Sequence, residues 1–522
     1  MRSPTYKLHL GPVTETGRPE DPAANLIAGR TTEPIDPFRL SVTRATTRRQ
    51  FLRQAGFSVG AIALGQLLTG GARAVDQTPR ATVNPLAPKA PPLPARAKSV
   101  IYLHMSGAPP SLDLFDWKPE LARLHLQPCP DSLLAGERFA FIKGVPLMLG
   151  SPYRFAQHGR SGLWVSETLP HFTRIADHVA MVKSMVTDQF NHAPAELFIY
   201  TGSPLPGSAS LGSWMTYGLG SENENLPGFV VLLSGGTDPT GGKSLWGSGF
   251  LPSVYQGVQC RSQGEPILYA QDPPGMDRSS RRRILDALDQ LNTLEAESFG
   301  DPETVTRIQQ YELAYRMQMS VPEVFDIGRE PRHILDLYGA TPGDGGFANN
   351  CLLARRLVEQ GVRYVQLYDW GWDIHGTGAH DDLLNHFPRK CREVDQASAA
   401  LVLDLEQRGL LDQTLVVWGG EFGRTPMNEA RGGSAFLGRD HHPHCFSLWL
   451  AGGGVKPGTV FGETDEIGYR IARDPVSVRD LQTTILHLLG LDAHQLAFRY
   501  QGLDQRLIGP AGEGRVVREI LA

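Results

Sequence analysis

The feature that most constrains this chain is alternation. From Ser99 to Leu489, short apolar runs of strand length alternate with longer stretches of helical spacing. Runs 99–105, 179–182, 229–233, 362–368, 414–418 and 445–451 have the residue types and length of buried strands. Stretches 284–294, 305–317, 349–360, 391–408 and 478–489 read as helices. Strands separated by helices return through crossovers rather than hairpins. The pattern therefore predicts an α/β fold: a central, largely parallel sheet flanked by helices on both faces. The Gly- and Pro-rich stretch 234–280 is expected to be irregular, an insertion near the ligand face.

The N-terminal part reads as an address. Thr47-Arg48-Arg49-Gln50-Phe51-Leu52 has the form of a twin-arginine signal, a pattern read by a receptor rather than an anchor. A weak apolar run follows from Ala55 to Leu68, too short for a bilayer span, and ends in Ala72-Arg73-Ala74, a small-residue cleavage pattern. Residues 1–74 are thus expected to be extension and signal peptide, with export of the folded protein to the periplasm or beyond. Residues 75–97 hold prolines at 79, 85, 88, 91, 92 and 94 and read as an extended linker, so the folded domain is expected over 98–522. No membrane span is expected in the mature chain.

Charge and cysteine usage exclude some function classes. A formal net charge of -5 and a pI near 6.4 leave no electrostatic footprint for nucleic acid. The five cysteines are odd in number and show no paired spacing, which argues against a disulfide framework or a structural zinc site.

In folds of this kind ligands bind beyond the carboxyl ends of the strands. Four loops beside predicted strands carry the chemistry: 106–116 with Asp113, 369–375 with Asp373 and His375, 420–426 with Glu421 and Arg424, and 438–444 with His441, His442 and His444. Imidazoles and carboxylates from separate strand ends suit zinc or another borderline divalent ion. Each loop also has a plainer reading: Asp113 as a turn or cap residue, Glu421 and Arg424 as an ion pair, the others as polar turns.

Ser106-Gly107-Ala108-Pro109-Pro110-Ser111-Leu112-Asp113, Trp372-Asp373-Ile374-His375, Gly420-Glu421-Phe422-Gly423-Arg424-Thr425-Pro426 and Gly438-Arg439-Asp440-His441 together resemble the DUF1501 family. The resemblance runs from about Lys98 to about Leu491. It implies an alkaline-phosphatase-like or sulfatase-like fold with a two-metal site. On that resemblance Asp113, Asp373, His375, Glu421 and His441 are the metal ligands, and Glu421 stands where the superfamily usually has Asp-His. The segment from Asn191 to Gly202 is similar to the sulfatase nucleophile segment: His192 falls on the nucleophile, and Ala195 and Glu196 replace Ser and Arg. No hydroxyl or thiol stands there.

The expected function is an exported, metal-dependent hydrolase acting on phosphate or sulfate esters of a small molecule or polysaccharide. Zinc is the expected metal, with calcium, magnesium or manganese as alternatives. His192 serves as nucleophile or as ligand, and Arg424 holds substrate oxygens bidentately. The alternative is a catalytically inactive envelope binding protein that keeps the fold. Replacing Arg48 and Arg49 by lysine is expected to hold the precursor in the cytoplasm, as read by cell fractionation. Unchanged export would remove the twin-arginine assignment.

Overall fold

The structure is a computed structural model and describes residues 84–134, 136–137, 139–266, 277–299 and 302–522. The twin-arginine segment, the apolar run and the Ala-x-Ala pattern lie outside the described residues.

One large sheet organises the domain. Its strands are β1 (Ser99–Ser106), β2 (Val179–Val186), β3 (Phe229–Ser234), β4 (Val258–Cys260), β5 (Tyr364–Trp370), β6 (Thr414–Gly419), β7 (Phe446–Ala451), β8 (Thr459–Phe461) and β9 (Val476–Ser477). Across the sheet the order is β8-β2-β7-β6-β1-β5-β3-β4, with β9 also on β2. Every pairing is parallel except those of β7, which runs antiparallel to β2 and β6. β1 lies between β5 and β6, with Val100 opposite Tyr364 and Leu415. All eight residues of β1 are buried, as expected for a central strand covered on both faces.

The helices divide between those faces. α1 (His192–Thr201), α2 (Leu211–Leu219) and α7 (Val478–Leu488) contribute to one hydrophobic core. α5 (Phe347–Glu359) and α6 (His386–Gln407) contribute to the other, together with the described part of α4 (Pro302–Phe325); α3 (Arg278–Phe299) lies against α4. The period of two along β1 sorts its side chains between them: Ile101, Leu103 and Met105 join the α5 and α6 side, Val100 and Tyr102 the α1 side. His104 follows Tyr102 on the α1 side, where its ring lies 5.3 Å from that of Tyr200.

The described part of the extended linker expected over 75–97 packs along the domain, its backbone tied to it: Lys89 N donates to Leu219 O (2.9 Å), Leu93 N to Gly490 O (2.9 Å) and Arg96 N to Leu488 O (2.8 Å). The extended conformation that proline enforces leaves N–H groups free to bond outward. One expectation needs correction: the 234–280 stretch is not wholly irregular, since β4 extends the sheet edge beside β3. All five cysteines are buried and unpaired. Among the described residues no helix is long and apolar enough to cross a membrane.

α1 is fixed at both ends. Its C-terminal Gly202 takes φ +70, and its N–H bonds Phe198 O. A Cβ there would lie 1.6 Å from Leu507 O. Beside it, Gln482 of α7 donates to Phe198 O and Ile199 O. Gly202→Ala is expected to lower stability by at least about 2 kcal/mol, from left-handed strain plus overpacking. A drop in the urea midpoint with unchanged m would show it.

Candidate metal centre

The C-terminal edge of the sheet collects the functional side chains. Asp373 and His375 follow β5, Glu421 and Arg424 follow β6, and His192 opens α1 after β2. His441 precedes β7, whose antiparallel direction brings its N-terminal end to this same edge.

These loops close on one another tightly. Gly107, just past β1, takes φ +112, and a Cβ there would lie 2.4 Å from Asp373 N. Only glycine lets the β1 and β5 loops approach so closely. Ala108 beside it also occupies the left-handed region, at φ +59. Gly107 N donates to Glu421 Oε1 at 2.9 Å, which brings in the β6 loop.

One donor atom from each of His192, Asp373, His375 and His441 lies within 4.8 Å of all the others. Asp373 Oδ1 is the centre: it is 2.8 Å from His375 Nε2, 3.2 Å from His192 Nε2 and 3.5 Å from His441 Nε2. The opposite ring nitrogens are anchored. His192 Nδ1 meets Glu421 Oε1 at 2.5 Å, His375 Nδ1 meets Glu429 Oε2, and His441 Nδ1 donates to Phe190 O at 2.7 Å. Anchoring Nδ1 turns each Nε2 toward Asp373, the outer arrangement that orients metal-binding imidazoles.

A divalent ion fits this donor set. His192 Nε2 and His441 Nε2 are buried and have no hydrogen-bond partner. Zinc bonds of about 2.0–2.2 Å imply tetrahedral edges of about 3.3–3.6 Å, close to two of the three separations from Asp373. Three imidazoles and a carboxylate are donors that suit zinc better than calcium or magnesium.

Burial and close neighbours set the charges in the cluster. Burial opposes a charged Asp373, yet Arg424 and the three imidazoles hold its carboxyl well below the usual range. Burial, with Arg424 and His192 close by, lowers His441 to about 4 and keeps it neutral. Burial works against charge on His192 too, but Asp373 and Glu421 outweigh it and raise the imidazole to about 9.

Two residues expected in the site do something else. Asp113 is fully buried and gives both oxygens to Arg439, at 2.7 Å to Nε and 3.1 Å to Nη2. Asp113 is therefore the counter-ion of Arg439, and it does not stand among the convergent donors of the cluster. Arg424 is also buried, with its N–H groups committed: Nε to Ala108 O, Nη1 to Arg439 O, and Nη2 to Gly107 O and Asp373. It positions Asp373 and the loops rather than gripping a substrate. His192 likewise has both nitrogens beside carboxylates, which suits holding an ion better than attacking an ester.

Other contributors went unread in the sequence. Glu429, on the β6 loop, orients His375. Asp440 accepts from Phe141 N (2.7 Å) and Ile142 N (2.9 Å), and so seats the Phe141 ring edge-on to His375 and His441. Asp440 lies inside the Gly-Arg-Asp-His motif, directly before His441, and that adjacency is its sequence signal. Glu429 carried no spacing signal.

The molecule is thus an α/β protein with a histidine-rich, carboxylate-centred cluster at the carboxyl edge of its sheet. Residues 97–521 match the family described as Protein of unknown function (DUF1501), and the chain belongs to that family. No curated protein matches it. Among solved structures, the sulfatase PsFucS1 from Pseudoalteromonas sp. shares 13% identity over 76% of this chain and 68% of that one, with a TM-score of 0.34. The phosphonate monoester hydrolase SpPMH from Silicibacter pomeroyi shares 12% over 81% and 76%, with a TM-score of 0.32. A magnesium-bound mutant of TAB5 alkaline phosphatase shares 11% over 76% and 99%, with a TM-score of 0.31. At TM-scores this low the likenesses carry no argument, and the reading of the site rests on its own residues.

Asp113→Ala would strand the buried Arg439 charge and is expected to cost about 3–5 kcal/mol in chemical denaturation. The double variant Asp113→Leu with Arg439→Met should recover part of that loss. A mild single effect together with loss of bound metal would return Asp113 to the ligand set.

Proposed function

We propose that the chain is an exported, metal-dependent hydrolase of phosphate or sulfate esters, its ion held by His192, Asp373, His375 and His441. The observation that carries the reading is the common aim of three imidazoles. Each has its Nδ1 anchored and its Nε2 turned on Asp373 Oδ1. A polar cluster with no task beyond stability would be costly to assemble at this density.

A bound divalent ion would polarise a phosphoryl or sulfuryl oxygen as a Lewis acid. The chain's own groups do the rest. α1 begins at His192, and its N-cap Asn191 makes no side-chain cap bond, so the backbone N–H groups of His192 and Ala193 are available to an anion beside the cluster; Pro194 has no N–H, and Ala195 N already bonds Asn191 O. Arg424 holds Asp373 in place from below. Asp373, with 31% of its side chain exposed, is the member that faces solvent. Phe141, 38% exposed, covers His375 and His441 from one side and limits access there. The twin-arginine leader read in the sequence would put this chemistry outside the cytoplasm, on a small-molecule or polysaccharide ester.

The second reading, a non-catalytic binding protein, draws on His192: by resemblance it falls on the sulfatase nucleophile position, where no hydroxyl or thiol stands, and its two nitrogens lie beside Glu421 and Asp373. Turnover separates the two. The purified mature chain loaded with zinc or manganese should hydrolyse at least one of p-nitrophenyl phosphate, bis-p-nitrophenyl phosphate and p-nitrophenyl sulfate. His441→Ala should lower that rate by about a thousandfold or more, the scale of losing an essential catalytic ion. Tight metal binding without turnover on any ester would favour the binding protein.

A further inference from the structure

Beneath the cluster lies a second convergence of donors. We propose that His104, Glu196 and Glu421 form a further divalent-cation site, joined to the first through the Glu421 carboxylate. The inference deepens the metal-dependent reading and rests on it.

The geometry is that of ligands rather than of hydrogen-bond partners. His104 Nε2 lies 3.3 Å from Glu421 Oε2 and 3.7 Å from Glu196 Oε1. Both separations are long for charge-assisted hydrogen bonds, which run at about 2.7–2.9 Å. They bracket the tetrahedral edge of about 3.3–3.6 Å that zinc bonds to nitrogen and oxygen imply. The three donor atoms lie within 4.8 Å of one another.

The same atoms lack other partners. His104 Nε2, Glu196 Oε1 and Glu421 Oε2 are buried without a hydrogen bond. The remaining carboxylate oxygens are all used. Glu196 Oε2 accepts from Thr240 Oγ1 and Gly241 N, each at 2.7 Å, and Glu421 Oε1 accepts from Gly107 N and meets His192 Nδ1. Each carboxylate is thus pinned by one oxygen and turns the other to the same point. Buried polar atoms ordinarily find partners, so three convergent exceptions call for one.

Charge points the same way. All three side chains have 0% exposure, and the rings of Tyr102, Tyr200 and Tyr368 enclose His104 at 5.2–6.2 Å. Two carboxylates in such a setting are strongly destabilising unless neutralised. His104 and, on the other oxygen of Glu421, His192 are the cations available to balance them; a divalent ion would supply the same two charges while leaving the His104 imidazole neutral as a ligand. One nitrogen and two oxygen donors suit zinc or manganese better than calcium. Glu421 would then span two ions, with His192 and Asp373 beyond it on the open side. Neither His104 nor Glu196 carried a sequence signal for this role. His104 reads as part of an apolar strand, and Glu196 stands where the resembling sulfatase segment has Arg.

Metal counting on the mature chain tests this. After incubation with zinc and removal of free ion, elemental analysis should give two equivalents for the wild type. His104→Phe and Glu196→Gln should each retain one, and His441→Ala should retain the other. The interior ion should also leave more slowly to EDTA. Circular dichroism and thermal melting confirm that each variant folds, and Glu196→Gln carries the test should His104→Phe fail to fold. One wild-type equivalent lost only in His441→Ala overturns this site and leaves the proposed function standing. One equivalent lost only in His104→Phe or Glu196→Gln supports this site and removes the first. Two equivalents retained in both interior variants overturns it, and none in the wild type overturns both.

Discussion

The guanidinium of Arg424 is the tie on which the rest of the site depends. Its N–H groups reach Gly107 O and Ala108 O in the β1 loop, Arg439 O in the loop before β7, and Asp373 in the β5 loop. Three loops from distant parts of the chain are thereby tied to the β6 loop through one buried charge. Such a charge is tolerated only when it is paired and its donors find acceptors, and here four hydrogen bonds serve it. Arg439 repeats the device one layer down, with Asp113 as counter-ion and Thr425 O as a further acceptor. Two buried arginines thus brace the floor on which the histidines stand.

The sheet explains why the histidines can meet at all. Parallel strands put their carboxyl ends on one edge, so the loops after β1, β5 and β6 and the start of α1 share a neighbourhood. β7 is the exception that completes the set. Because it runs antiparallel, the loop entering it, with His441, reaches the edge that the other strands leave. The short pairing of Gly423–Arg424 with His441–His442 then locks that loop beside Glu421.

Histidine orientation is the link from architecture to chemistry. Glu421, Glu429 and Phe190 O each take one ring nitrogen and leave the other for the centre. Phe422 stacks on His192 at 4.9 Å and contacts His441 at 4.7 Å, so the rings are held by packing as well as by hydrogen bonds. A site whose rings are fixed from behind loses little entropy when it takes a ligand.

Sequence alone determined the architecture and much of the site. Apolar runs alternating with helical stretches pointed to a largely parallel sheet covered on both faces, because strands separated by helices return through crossovers; that β7 runs antiparallel was not legible in its run. Polar residues clustered beside those runs marked Asp373, His375, Glu421 and His441, a resemblance to the sulfatase nucleophile segment marked His192, and the structure brings these five together. Tertiary structure alone decided the partners. Asp113 belongs to Arg439, Arg424 belongs to backbone carbonyls, and residues 84–97 belong to the domain, because each depends on which segments the fold brings alongside. His104 shows the reason most clearly. In sequence it is one polar residue in an apolar strand. Only the period of two that turns it toward α1, and the packing that sets Glu196 opposite, give it acidic neighbours. Local residue patterns encode the face of a strand, whereas pairings between distant side chains arise from the register and packing of whole elements.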